Sequence, residues 1–319
     1  MLTTRPGIGQ RPAGVQRSSG SQVLVALSMA WLLATCGARP VGGAPDAGPV
    51  GTTPLPGWEG RLTQFNIDSP VAGIAGRAVT VLLPPGYSDP AQASTRYPAF
   101  YLHDGNNCLD RDPFGHGGWQ VHLTATDLMT RAVMAPAIVV MVANSPARTE
   151  EYNPGAGTAP GPTADGYLDY LEHAVIPFVE QRYRVQPGAA NRGIGGSSFG
   201  GIISLYAGFT RPSVYGVVMA MSTAPSVYDV KARIEATAGK APLRIYLDSG
   251  TIDPFGPNGT NLVNDFQDYT VAMRDLLVSR GWVLGQDLDY ALGVGDTHDE
   301  SAWRRRLPGA LSFLFPPGR

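Results

Sequence analysis

The sequence predicts an α/β fold, a mostly parallel central sheet with helices on both faces. Three observations lead there. From about Trp58 onward, short apolar runs alternate with segments of helical period. Several runs are apolar without interruption, as strands buried on both faces must be. A glycine- and serine-rich turn, GIGGSSFGG over Gly193–Gly201, then leads from one such run into a helical segment. Strands and helices in alternation make parallel neighbours, because each helical crossover returns the chain to the same end of the sheet.

The expected strands are AVTVLL (Ala78–Leu83), AFYL (Ala99–Leu102), AIVVMVAN (Ala137–Asn144), a short one in NRGIGG (Asn191–Gly196), VYGVVMAMS (Val214–Ser222), LRIYL (Leu243–Leu247) and DYALG (Asp289–Gly293). GGIISLYAGF (Gly200–Phe209) continues the Gly/Ser turn as a helix. Ala164–Tyr183 sets Tyr167, Leu168, Leu171, Ala174, Val175, Phe178 and Val179 at helical spacing, with Pro177 placed to kink it. NDFQDYTVAMRDLLVSRG (Asn264–Gly281) is a helix stopped by its glycine, and ESAWRRRLPGALSFLF (Glu300–Phe315) is the last one.

Composition sets the outer limits. The chain has 319 residues, 43% of them hydrophobic, enough for one ordinary globular domain. No internal repeat or second domain is visible. A formal charge of −2 without a Lys/Arg run excludes a nucleic-acid binder, whose affinity rests on neutralising phosphates.

The N-terminus reads as a targeting segment. Arg5, Arg11 and Arg17 precede VLVALSMAWLLA (Val23–Ala34), an apolar core too short to span a bilayer and of signal-peptide length. It ends in LATC (Leu33–Cys36), which resembles the bacterial lipobox, with Thr35 a less usual residue before the cysteine. Cys36 is therefore expected to carry lipid and to anchor an exported protein in the bacterial envelope, at the outer membrane. A plain secretory signal and a secreted protein are the alternative. Residues 37–57 are rich in Gly and Pro and read as a tether, leaving 58–319 as the folded domain. The only other cysteine, Cys108, then has no disulfide partner and is expected to be a partly buried, inert thiol, with a reactive thiol the alternative.

In a sheet of this kind a strand-to-helix turn reading G-x-S-x-G is a nucleophile elbow, in which the serine takes a strained backbone and the glycines let helix and strand pass closely. Only Gly196-x-Ser198-x-Gly200 fits; centring on Ser197 would put Phe199 where glycine is needed. A dinucleotide fingerprint fails because Ser198 stands at its last glycine, and a P-loop fails for want of lysine. Ser198 is the candidate nucleophile.

A serine hydroxyl needs a base, and in this topology the order along the chain is Ser, acid, His. Of the five histidines, His103, His116, His122 and His173 precede Ser198; only His298 follows it, between the last strand and the last helix. The acid belongs after the penultimate strand. Asp253 in the loop is preferred to Asp248 at the strand end, because a loop residue reaches the imidazole more easily. Asp296 and Asp299 flank His298 too closely to orient it and are expected to be solvated. The oxyanion hole needs two backbone N–H groups: Phe199 after the nucleophile, and Asn106 or Gly105 in the turn YLHDGNN (Tyr101–Asn107). His103 and Asp104 are read as structural, and no metal or cofactor is expected.

These blocks resemble the Putative esterase family of α/β-hydrolases, which includes enterochelin-type siderophore esterases, S-formylglutathione hydrolases, feruloyl esterases and antigen 85 mycolyltransferases. The resemblance runs from about Gly60 to the C-terminus, through VTVLLPPGY (Val79–Tyr87), YPAFYLHDGNN (Tyr97–Asn107), RTEEYNPG (Arg148–Gly155), the helix from Tyr167 to Val185, GGSSFGGIISLYAG (Gly195–Gly208) and HDESAWRRRLPGALSFLF (His298–Phe315). It implies Ser198 as nucleophile, His298 as base and the HDGNN loop as oxyanion turn. Many relatives carry Glu in a G-x-x-E setting, where this chain has Gly250-Thr251-Ile252-Asp253, so Asp248 stays open. The implied chemistry is acyl transfer from a small-molecule ester to water. Transfer to another acceptor and a non-catalytic surface-binding lipoprotein are the competing readings. Phe114, Trp119 and Phe255 are candidate walls of an acyl site, while the substrate and the oligomeric state are not readable.

Overall fold

The computed structural model describes Thr53–Gly318 except for residues 56, 59–60, 113–114, 156–162, 225–227, 229 and 253–264. The readings made for the signal segment, for Cys36 and for Phe114, Asp253 and Phe255 lie outside the described residues. Among the described residues nine strands form one sheet: β1 (Thr53–Pro54), β2 (Leu62–Ile67), β3 (Arg77–Leu82), β4 (Ala99–Leu102), β5 (Ile138–Val142), β6 (Arg192–Ser197), β7 (Val217–Met221), β8 (Arg244–Gly250) and β9 (Leu288–Gly293). Their order is β1-β2-β3-β5-β4-β6-β7-β8-β9. The edge from β1 to β3 is antiparallel, and β3 meets β5 antiparallel; from β5 to β9 every neighbour is parallel. Thr53 and Pro54, read as tether, thus join the sheet edge.

Burial explains which strands form where. β4, β5 and β7 are buried at every position, matching their unbroken apolar sequences. β2, LTQFNI, lies one strand in from the edge, beside a β1 of only two residues, and shows a mixed burial pattern in which the apolar residues do not alternate cleanly.

The helices are α1 (Val121–Thr130), α2 (Arg148–Glu151), α3 (Ala164–Tyr170), α4 (Ile176–Arg182), α5 (Phe199–Thr210), α6 (Val230–Ala236), α7 (Asp265–Ser279) and α8 (Glu300–Leu314). α1 and α8 supply Val121, Ala125, Leu128, Trp303, Leu307 and Leu311 to a core shared with Phe100, Leu102, Val217 and Met219. α5 covers the opposite face, where its Gly208 meets Val218. No helix among the described residues is long and apolar enough to cross a membrane.

At Pro177, where the sequence predicts a kink, the helical segment carries a wider turn. Leu171–Val175 forms one π-helical turn between α3 and α4. Proline has no N–H for the carbonyl four residues back and its ring would strike that carbonyl; the wider turn absorbs both. Next to this turn, Arg77 on β3 is held bidentately by Glu151 on α2 at 2.7 and 2.8 Å, with its guanidinium against the rings of Tyr167 and Tyr170. The pair is buried and fastens α2 to the sheet. Removing one partner of such a pair strands a buried charge, at a cost of about 3–5 kcal/mol.

Candidate active site

The loops after β4, β5, β6, β8 and β9 all leave the C-terminal edge of the parallel sheet, where open α/β sheets collect ligands. β6 lies between β4 and β7 and ends at Ser197, while α5 begins at Phe199. Ser198 alone makes the connection, at φ 56° and ψ −122°. A side chain held in this region costs on the order of 1–3 kcal/mol and persists only where its surroundings fix it. They do so here: its N–H donates to Met221 O at 2.9 Å, and its carbonyl accepts from Gly201 N–H at 3.0 Å. A Cβ on Gly196 would stand 3.0 Å from Gly200 Cα, so glycine at 196 lets helix and strand pass this closely. Ser198 is 1% exposed, and its Oγ has no hydrogen-bond partner among the described residues. The N–H of Phe199 opens α5 and has no carbonyl one helical turn back to bond.

On the neighbouring strand, β4 runs through His103 to Asp104, which adopts φ 55°. The tight turn Gly105–Asn107 follows, closed by Asn107 N–H to Asp104 O (2.8 Å) and Cys108 N–H to Gly105 O (3.3 Å). The N–H groups of Gly105 and Asn106 stand at its open leading end. A Cβ on Gly105 would lie 2.6 Å from the Met141 carbonyl carbon, so the turn rests directly on β5. Asn106 and Asn144 join the two loops: Asn144 N–H donates to Asn106 Oδ1 (3.1 Å), and Asn106 Nδ2 donates to Asn144 Oδ1 (3.2 Å). The Asp104 carboxylate accepts from Arg148 Nε and Nη2 at 2.6 and 2.8 Å and from Asn144 Nδ2 at 2.6 Å. Burial pushes its carboxyl up, but the Arg148 charge and these hydrogen bonds outweigh it and hold it below the usual carboxylate range.

His103 and Cys108 are both buried, Cys108 more fully than the partly buried thiol expected. His103 Nδ1 lies 2.8 Å from the Tyr167 hydroxyl, and desolvation pushes the imidazole down to about 3, so it stays neutral. Burial raises the Cys108 thiol well above its ordinary value, and the residue is a free, buried cysteine.

His298 lies between β9 and α8, half-buried, with its ring edge-on to Trp303 at 5.1 Å. Trp303 packs in turn on Trp119 at 5.5 Å. Trp119, expected at an acyl wall, is 2% exposed and belongs to the core; its indole backs the ring that supports the imidazole. Desolvation, followed by the charges of Arg306 and Arg148, pushes His298 down to about 3, with Asp299 opposing. The imidazole is neutral at neutral pH, the form that accepts a proton.

Three nearby carboxylates have other partners. Asp248, on β8, is fully buried: Oδ2 pairs with Arg306 Nε (3.0 Å) and accepts from the Tyr246 hydroxyl (3.3 Å), while Oδ1 accepts from Ser222 N–H (3.2 Å) and Arg306 Nη2 (3.3 Å). Asp296 is not solvated. It is 7% exposed and pairs with Arg305 (2.6 Å) and Arg306 (2.5 Å), because those two α8 guanidinium groups turn back onto the loop that precedes their helix. Asp299 caps α8, accepting from Ala302 N–H at 3.0 Å; hydrogen bonds from Ser301, Thr297 and Ala302 overcome burial and take its carboxyl to about 2. The loops after β8 and β9 are tied by Ile252 N–H to Asp296 O (3.0 Å) and Thr251 N–H to Gly293 O (3.2 Å).

Among the described residues, one group brings three potential metal-ligand atoms within 4.8 Å: Asp112, His116 and Glu300. Its members already bond one another, with His116 Nδ1 2.9 Å from Glu300 Oε2. Asn107 Nδ2 donates to the other Glu300 oxygen at 3.1 Å, tying the turn after β4 to α8.

Sheet order and elbow define the class: this is an α/β-hydrolase fold. The sequence model of the family described as Putative esterase matches residues 75–314, and the chain belongs to that family. The enterobactin esterase FES of Shigella flexneri, solved in the presence of enterobactin, is similar at 19% identity and a TM-score of 0.59, over 86% of this chain and 60% of that one. This chain thus spans about 60% of that enterobactin esterase's length. The ferulic acid esterase AmCE1/Fae1A of Anaeromyces mucronatus is similar at 19% identity and a TM-score of 0.57, over 89% and 98% of the two chains. The uncharacterized protein YbbA of Bacillus subtilis (strain 168) is 23% identical over 251 residues, 76% of this chain and 94% of that protein.

The strain at Ser198 makes a stability prediction. Glycine tolerates this backbone, so Ser198→Gly releases roughly 1–3 kcal/mol of strain, offset by about 0.5–1 kcal/mol of added chain entropy in the unfolded state. In urea denaturation Ser198→Gly should therefore exceed Ser198→Ala, which keeps its Cβ, by about 1 kcal/mol. Equal stabilities would mean that the elbow stores no strain.

Proposed function

We propose that the protein is a serine carboxylic-ester hydrolase that works through an acyl-enzyme on Ser198. The observation that carries this reading is the Ser198 backbone: a lone connecting residue at φ 56°, ψ −122°, its hydroxyl uncommitted, at the first turn of α5. Ser198 Oγ attacks the ester carbonyl and His298 takes its proton. The N–H groups of Phe199 and Asn106, with Gly105 the alternative second donor, receive the oxyanion. His298 then protonates the departing alcohol and activates the water that releases the acid.

Asp253 is the proposed acid. The bond from Ile252 N–H to Asp296 O holds the residue before Asp253 against the loop that carries His298, which supports this choice. The four hydrogen-bond and ion-pair contacts on Asp248 speak against that alternative. We also retain in the proposal an exported protein anchored through lipid on Cys36, on the sequence pattern of residues 1–36. Labelled palmitate should enter the protein in a bacterial host and be absent from Cys36→Ser.

p-Nitrophenyl esters, a feruloyl ester and enterobactin, the last two taken from the names of the structural neighbours, form the substrate panel. Ser198→Ala and His298→Ala should each lower kcat on whichever ester is cleaved by roughly 10⁴-fold or more while remaining folded. Asp253→Asn should lose about 10³- to 10⁴-fold. A folded Ser198→Ala with undiminished turnover would sink the reading. The pH profile follows from His298. A base whose pKa is lowered keeps its accepting form to lower pH, so the acid limb of kcat/KM should fall well below 6.5, the ordinary histidine value. A limb at or above 6.5 would contradict it.

A further inference from the structure

We propose that Arg148 is the positioning residue of the acyl-transfer site, holding both sources of oxyanion N–H groups with one buried guanidinium. The inference rests on the serine-hydrolase reading above and goes beyond it, since the sequence motifs assign Arg148 no role.

Arg148 opens α2, on the loop after β5, the strand next to β4. Its Nε and Nη2 meet Oδ1 and Oδ2 of Asp104, a two-point contact that fixes direction as well as distance. Asp104 stands at φ 55° immediately before Gly105 and Asn106. Pinning its carboxylate therefore sets the backbone from which those two N–H groups are aimed. Asn144 adds a third contact to the same carboxylate from the same loop as Arg148.

The other side of the guanidinium faces the nucleophile turn. Its central carbon lies 5.4 Å from the centre of the Phe199 ring and 5.1 Å from that of Tyr152. Phe199 is the residue whose N–H completes the proposed oxyanion pair. The two halves lie close together: a Cβ added to Gly200 would come to van der Waals distance, 3.4 Å, of both Asp104 Oδ2 and His103 Cβ. The ion pair thus fills the seam between the turn after β4 and the first turn of α5. Its support is rigid, because Glu151, on the same short helix, is gripped by Arg77.

Charge gives the placement a second consequence. A cation at this seam favours negative charge on the substrate oxygen and disfavours a proton on His298. Among the described residues, the charged groups acting on His298 are Arg306 of α8, Asp299 at the cap of that helix and Arg148 of α2, with Arg306 itself paired to Asp248 and Asp296.

The test compares Arg148→Lys and Arg148→Met with wild type in the whole protein. It reads kcat, KM, the pH profile and the rate of Ser198 labelling by a fluorophosphonate, with folding followed by circular dichroism and urea denaturation. Arg148→Lys keeps the charge and loses the fork. It should stay folded and lose about 10²-fold in kcat and labelling rate, as expected for a small misplacement of the N–H groups, with KM changed only a few-fold and the acid limb in place. Arg148→Met should lose more and move the acid limb upward. A role in folding alone would scale activity with the folded fraction and leave the labelling rate of folded protein and the pH profile untouched; that result overturns the proposal. So does a folded Arg148→Lys with wild-type kcat, or a loss in KM alone. If Arg148→Met does not fold, the lysine variant decides. Wild-type protein without Ser198-dependent hydrolysis would overturn the hydrolase reading itself, whereas an active wild type with an indifferent Arg148→Lys overturns only the role of Arg148.

Discussion

One residue joins the central strand to its helix, and the architecture around it follows from that economy. With only Ser198 between β6 and α5, the helix must start while still against the strand. Side chains on the strand would block it. This accounts for Gly196, whereas Gly193 and Gly195 answer to packing away from the helix, in a buried strand where glycine ordinarily weakens packing. Cβ atoms at Gly193 and Gly195 would fall 2.8 and 2.7 Å from the Phe100 ring, which lies across the strand in place of side chains. Gly196 yields to Gly200 on the helix side. The stretch that looks compositionally like a flexible turn is therefore a close-packed one, and its tightness places a strained serine at the mouth of the sheet.

Around this turn the protein buries ion pairs: Asp104 with Arg148, Asp248 and Asp296 with Arg306, and Arg77 with Glu151. Desolvation cancels much of the energy of such pairs, so they are a poor account of stability. They are a good account of geometry. A two-point guanidinium–carboxylate contact tolerates little rotation, and Asp104 with Arg148, Asp248 with Arg306 and Arg77 with Glu151 each make one between segments that arrive from different strands. Arg306 joins α8 to β8 and to the loop carrying His298; Arg148 joins the β5 loop to the turn after β4. Loops that would otherwise be independent become one rigid rim.

Much of the fold was legible because burial on both faces writes an unbroken apolar run. β4 spans Ala99–Leu102, the residues the run itself delimits. β2 escaped because Leu62–Ile67, next to the short edge strand β1, mixes polar and apolar residues and writes no unbroken apolar run. Ser198 was legible from local spacing, since the elbow is a local device; Arg148 was not, since its partner Asp104 lies 44 residues earlier and the contact exists only after β4 and β5 pair. Trp119 was misread because the glycines before it suggested an open loop, whereas Trp119 N–H bonds Asn107 O and the ring turns inward. Asp296 was misread because its arginine partners come within reach only when α8 forms. Asp299 carried a usable signal in Asp-Glu-Ser-Ala, a good N-cap at the head of a helix.

The electrostatics of the rim bear on how such a site would work. Arg148 and Arg306 both disfavour charge on His298, which keeps it a ready acceptor yet a weak base. The same positive field lowers the energy of an oxyanion, so the two effects pull in opposite directions on one step. Reconciling them takes a carboxylate that meets the imidazolium as it forms. Asp248 and Asp296 are committed to Arg306, and Asp299 to its cap. A carboxylate arriving from the loop after β8, which is hydrogen-bonded to the His298 loop through Ile252, satisfies the requirement without dismantling any of those contacts. That consideration favours Asp253, because recruiting Asp248 to His298 would leave the buried Arg306 short of one of its two counter-charges and cost more than it contributed.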